Sequence, residues 1–195
     1  MVVAPGPSQR TLGLRRALFV DRDGTLDPDL HYLREAERLE LFRGVGAALR
    51  LVHDHGELVV CVTNQSGVER GFYTVEDVGR IHARLNEFLA AEGTRVDAFY
   101  FCPHEPERGC GCRKPGVGLF EQAARELGLD LASCAMVGDR ATDIEPGRKL
   151  GMLTALVRSR GHETEVDAEL AARGVVPEIR SDTFLGAVLR VLARG

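Results

Sequence analysis

A doubly wound α/β fold is what the sequence predicts, and three observations predict it. Apolar runs of four to six residues alternate with longer stretches of helical spacing. Most of those stretches end at glycines, as helix C-termini do. The chemically unusual residues each follow an apolar run, and in parallel sheets ligands bind outside the carboxyl ends of the strands. At 195 residues, the chain is long enough for one core burying roughly 70% of its unfolded surface, and too short for two ordinary domains.

The first sixteen residues, MVVAPGPSQRTLGLRR, read as an extension, and residues 17–195 as one domain. ALFV at 17 is the first buried strand, and GVGAALRLVHDHG (44–56) the first helix. His53 and His55, near the end of that helix, fit partners for its C-terminal dipole better than catalysts. LVVCVT at 58 is the second strand. The helix over 74–93 starts at Thr74, whose oxygen can accept an unpaired backbone N–H, with Asp77 three residues on. VDAFYF at 96 is a strand, GLFEQAARELGL (118–129) a helix, CAMVG at 134 a strand and DIEPGRKLG (143–151) a helix. LTALV at 153 and VVPEI at 175 complete the strands, and DTFLGAVLRVLARG is an amphipathic closing helix.

A net charge of −4 without a Lys/Arg run argues against a nucleic-acid binder, and no stretch approaches a membrane span. The extension lacks an apolar stretch of signal-peptide length, so a cytoplasmic protein is expected. Of five cysteines, three crowd into residues 102–112, which suits metal binding in a reducing compartment. Cys61 and Cys134 sit in apolar runs and read as core.

The chemistry begins with LFVDRDGTLD, where Asp21 and Asp23 stand on one face of an extended segment. Like charges so close need a cation or a proton to relieve them, although Asp-Gly is also a common turn dipeptide. A second constellation is CPHEPERGCGC. Its Cys102, His104, Cys110 and Cys112 supply three thiolates and an imidazole, which fits a closed, structural Zn²⁺ site. The following Arg113 and Lys114 would be fixed in position by that metal.

In order along the chain, DRDGT, TNQSG, CRKPG and GDRATD resemble the four motifs of the haloacid dehalogenase (HAD) superfamily of phosphohydrolases, over residues 17 to about 157. Within it, the chain looks most like the small bisphosphatases acting on D-glycero-D-manno-heptose 1,7-bisphosphate, with histidinol-phosphate phosphatases as close relatives. The resemblance implies a Rossmann-like HAD fold and a Mg²⁺-dependent mechanism through an aspartyl phosphate. By motif position Asp21 is the nucleophile, and Asp23 the group that protonates the leaving oxygen and then takes a proton from water. Mg²⁺ falls to the Asp21 side chain, the Asp23 backbone carbonyl and the Asp139 side chain. Asp143 suits ligation, helix capping or orienting a lysine equally.

Thr63, Asn64 and Lys114 are expected on the phosphoryl oxygens, and Arg113 on a group farther along the substrate. Asp29, Leu30, His31 and Tyr32 match the family's substrate loop, and Gln65 and Ser66 lie in the turn beside it. The intervals between motifs are largely used by predicted elements, so no large cap domain fits. Loops 27–37 and 64–73 and the zinc loop would cover the site. The expected partner is a small sugar phosphate or bisphosphate, bound by a monomer. The alternatives are a histidinol-phosphate phosphatase and, from another class, a zinc-binding adaptor on an inactive scaffold.

Overall fold

The structure is a computed structural model that describes residues 14–158 and 162–194. Six strands form one sheet: β1 (Ala17–Val20), β2 (Leu58–Asn64), β3 (Ala98–Cys102), β4 (Ala135–Gly138), β5 (Leu153–Val157) and β6 (Ile179–Ser181). Their order is β3-β2-β1-β4-β5-β6, and every pairing between them is parallel. Chain direction across the sheet therefore reverses at β1, whose neighbours are β2 and β4. That is the switch point of a doubly wound sheet, and it opens a crevice at the strand ends.

Alternating side chains send β1 into two cores. Leu18 and Val20 face one side, packed with α1 (Val45–Asp54), α2 (Val75–Ala91) and α6 (Phe184–Leu192) through Leu49, Leu85 and Val188. Ala17 and Phe19 face the other, against Phe120 and Ala123 of α3 (Gly118–Leu127). A third cluster joins Ile144 of α4 (Ala141–Lys149) and Leu156 of β5 to Val166 and Leu170 of α5 (Glu163–Arg173). Both faces of every inner strand are covered, which is why their sequences read as continuous apolar runs. Thr74 Oγ1 accepts the Asp77 N–H at 3.2 Å, and Asp77 Oδ2 accepts the Thr74 N–H at 2.7 Å, closing a capping box at the start of α2.

Three elements depart from the sequence reading. The run at 175–179 is not the last strand: Val176 is 72% exposed, Pro177 has no N–H to give a ladder, and β6 starts only at Ile179. Helix α4 starts at Ala141, two residues early, because the Asp143 carboxylate accepts the Arg140 N–H at 3.0 Å and caps it there. Helix α5 went unread, since its only buried apolar side chains are Val166 and Leu170 amid charged residues. His55 does bind the end of α1, at Leu51 O (2.8 Å), whereas His53 bridges instead to Thr94 and Asp97, at 2.9 Å each.

Most of the N-terminal extension lies outside the described residues. Of the residues assigned to it, Arg15 is tied to Gly128 and Asp130 and Arg16 to Leu58 at the start of β2. No cap domain interrupts the described residues: β1 leads to α1 through a loop with one 3-10 turn (Ala36–Arg38), and β3 to α3 through another (Pro106–Arg108). No described helix is long and apolar enough to cross a membrane.

Candidate active site

The cleft lies at the carboxyl ends of β1, β2 and β4 and has a volume of about 290 Å³. It brings together Asp21, Asp23, Asp29, His31, Tyr32, Thr63, Asn64, Gln65, Ser66, Arg113, Lys114 and Asp143, which the sequence had spread over more than a hundred positions. Leu30 is the exception among the expected loop residues: it is 39% exposed and outside the lining, and Leu33 faces the cleft in its place. Asp139 lies buried beside the cleft, taking a hydrogen bond from Thr25 Oγ1 at 3.2 Å.

Asp21 continues the β1 ladder, donating its N–H to Val137 O of β4 at 3.0 Å. The chain then turns sharply, with Arg22 O accepting the N–H groups of Thr25, Leu26 and Asp27. Gly24 makes that turn possible. Its φ is +84°, and a Cβ there would sit 2.4 Å from a carboxylate oxygen of Asp139.

Lys114 is buried and saturated: its ammonium reaches Asp21 (2.8 Å), Asp143 (2.6 Å) and Val62 O (2.7 Å). Asn64, expected on phosphate, has both ends of its amide on the Lys114 backbone, at 3.0 and 3.1 Å. It holds the lysine segment against β2. Asp143 both caps α4 and pairs with Lys114, and its carboxylate lies with those of Asp21 and Asp139 so that their ligand oxygens are within 4.8 Å of one another. Burial pushes the Asp21 carboxyl up to about 8; Lys114 opposes the rise, and Asp143, Asp139 and Asp23 add to it. Three buried carboxylates against the Lys114 ammonium and the Arg140 guanidinium, 3.4 Å from Asp139, leave negative charge in excess, and an all-oxygen donor set of this kind suits a hard divalent cation such as Mg²⁺.

Around Asp23 the relief that such a pair of acids needs comes from a cation of the same motif. The Arg22 guanidinium, fully buried, donates from Nε to Oδ1 (3.2 Å) and from Nη2 to both oxygens (2.7 and 3.0 Å). Gln65 Nε2 donates to Oδ2 at 2.7 Å, and Tyr73 donates to Gln65 Oε1 at 2.7 Å. Asp27 is buried beside them, both its oxygens without a partner. Burial and the neighbouring Asp23 push it up to about 9, against the pull of Arg22, whose hydrogen bonds go to Asp23.

Asp29 accepts the His31 N–H at 3.0 Å, holding the loop where His31 and Tyr32 take left-handed φ values of 46° and 62°. Tyr32, which lines the cleft, meets Phe72 edge to face, with ring centroids 4.7 Å apart.

In the loop after β3, the ligand atoms of Cys102, His104, Cys110 and Cys112 approach within 3.2–3.6 Å. The sulfur separations are far beyond the ~2.05 Å of a disulfide. They are close to the spacing of about 3.8 Å set by a tetrahedral ion bonded at ~2.3 Å, so the cluster fits Zn²⁺ with no open position. From this loop His104 O accepts Arg113 Nη1 (3.2 Å), Cys102 O accepts the Gln65 N–H (2.7 Å), and Glu105 donates its N–H to Glu69 (2.6 Å).

Arg22, Tyr73, Arg140 and Thr142 also line the cleft and escaped the sequence reading. Arg22, Arg140 and Thr142 lie inside the quoted motifs, but an arginine at a strand end is ordinarily a solvated side chain. Only the fold shows Arg140 between Asp139 (3.4 Å) and Asp29 (3.7 Å).

Residues 111–181 match the HAD-hydrolase-like family model. The chain is similar to the D-glycero-beta-D-manno-heptose-1,7-bisphosphate 7-phosphatase of Haemophilus ducreyi, with 35% identity over 165 residues, covering 81% of this chain and 91% of the relative. It is 40% identical over 156 residues to the D-glycero-D-manno-heptose-1,7-bisphosphate 7-phosphatase of Thermosynechococcus vestitus, covering 74% and 80%. Among solved structures, the D,D-heptose 1,7-bisphosphate phosphatase of B. bronchiseptica, complexed with magnesium and phosphate, superposes with a TM-score of 0.81 at 29% identity, over 93% of this chain and all of that one.

Proposed function

The chain belongs to the D-glycero-D-manno-heptose-1,7-bisphosphate 7-phosphatase family of HAD phosphatases, and we propose that it removes the 7-phosphate from that sugar bisphosphate through a covalent intermediate on Asp21. The observation that carries this reading is the pairing of Asp21, backed by Lys114, with Asp23 at the switch point of the sheet. An Asp21 carboxylate oxygen attacks phosphorus, the bond from phosphorus to the sugar oxygen breaks, and Asp23 gives its proton to that oxygen. Water then attacks the phosphorus of the aspartyl phosphate as Asp23 takes its proton, which releases inorganic phosphate and restores Asp21.

Asp21 and Asp139, with Asp143 in reach and, by motif position, the Asp23 backbone carbonyl, would hold Mg²⁺, whose positive charge offsets the phosphate oxygens when bound. Lys114 keeps Asp21 oriented, and Thr63 offers a hydroxyl at the end of β2. Arg113, fixed by the zinc-type loop, has the planar fork that suits the second phosphate. The loop cluster would take its Zn²⁺ as a structural ion.

Histidinol phosphate would need an acid for its amine. Glu69 is already engaged by the Glu105 N–H and Arg108, and Asp29 by the His31 N–H and Arg140. That favours the sugar bisphosphate. The test is phosphate release with Mg²⁺ from heptose 1,7-bisphosphate, histidinol phosphate and hexose phosphates. The highest kcat/KM should fall to the heptose, and a ten-fold preference for histidinol phosphate would overturn the substrate while leaving the phosphatase.

A further inference from the structure

The surroundings of Asp23 contain a device that the reaction above does not use. Its oxygens are met by Arg22 and by Gln65 Nε2, and Thr63 Oγ1 lies 3.5 Å from Oδ2. A guanidinium has no acceptor, so it can only donate. A glutamine amide is different: turned over, it would present its oxygen to Asp23 and could accept the very proton that Asp23 must deliver. The hydroxyl of Tyr73 opposes this by donating to Oε1 at 2.7 Å, while Nε2 also donates to Thr63 Oγ1 at 2.9 Å.

Tyr73 is 5% exposed and Gln65 3%. The ring has room only because residue 67 is glycine: a Cβ there would lie 2.3 Å from its Cε1 and 2.8 Å from its hydroxyl oxygen. We propose that Tyr73 is a positioning residue for the general acid, holding the Gln65 amide so that Asp23 meets N–H groups from it and delivers its proton into the cleft. The proposal rests on the phosphatase reading for the role of Asp23.

Tyr73→Phe tests it, since the ring stays and only the hydroxyl goes. The readout is kcat/KM with Mg²⁺ across phosphate monoesters of rising leaving-group basicity, from p-nitrophenyl phosphate to an alkyl phosphate. The variant should lose about ten-fold on the alkyl ester, whose leaving oxygen needs a proton, and less than about two-fold on p-nitrophenyl phosphate, whose does not. In an Asp23→Asn background the same change should cost nothing more, because two residues acting through one step are not additive. A uniform loss along the series, no loss, a raised KM at unchanged kcat, or full additivity with Asp23→Asn would each overturn the proposal. Wild-type protein inert toward these esters and toward heptose 1,7-bisphosphate alike would instead strike the phosphatase reading itself.

Discussion

Lys114 Nζ lies 2.8 Å from Oδ1 of Asp21, so the cation of the CRKP motif braces the nucleophile from within the protein. Its other acceptors, Asp143 and Val62 O, leave it no free proton for a ligand. Removing one partner of such a buried group is costly because the others stay buried without compensation. Lys114→Met should therefore destabilise the metal-free protein by about 3–5 kcal/mol, measured by denaturant unfolding, and Mg²⁺ should restore part of the loss.

Asp21→Asn acts in the opposite sense on stability. It removes a carboxyl that burial and its acidic neighbours push up to about 8, so the melting temperature should stay or rise. Turnover should fall by about 10³-fold or more, because an amide does not attack phosphorus. A rate above a few per cent of wild type would argue against the covalent route.

For the loop cluster, elemental analysis of protein purified under reducing conditions should find one zinc per chain. Cys110→Ser should lose it and lower kcat, since Gln65 and Arg113 hang on the carbonyls of Cys102 and His104. Circular dichroism should change little, because the loop adds only Cys102, Cys110 and Cys112 to the edge of one core and nothing to the other.

His82 gives a pH signature. Burial, and then the positive charge of Arg22, push it down from 6.5 to about 3 while it stacks on Phe99 at 4.2 Å. Between those values the unfolded chain binds a proton that the folded chain refuses, so stability falls as pH falls below 6.5. His82→Gln should reduce the stability lost between pH 7 and 5.5 by about 1 kcal/mol, read from denaturant unfolding at both pH values.

The sequence carried the inner strands and the motif residues because both are local: an apolar run declares a strand covered on both sides, and DRDGT is read within five residues. What it concealed depends on distant contacts. Tyr73 acquires meaning only against Gln65 and Gly67, and Arg22 only against His82, sixty positions away. Asn64 read as a phosphate donor because nothing local reveals that Lys114 occupies its amide. Helix α5 stayed hidden because two apolar side chains on a charged helix make a weak period.

The strand order also sets a timetable. Strand β1 carries Asp21 and Asp23, yet its register with β4 joins Leu18 to Ala135, more than a hundred residues later. At ribosomal rates of roughly 5–20 residues per second, the first strand waits on the order of ten seconds for that neighbour to emerge. Lys114, Asp139 and Asp143 are made late as well. Until then the nascent chain carries Asp21 without the lysine that braces it and without the two carboxylates that complete its cluster, so competence for chemistry cannot precede the emergence of residue 143.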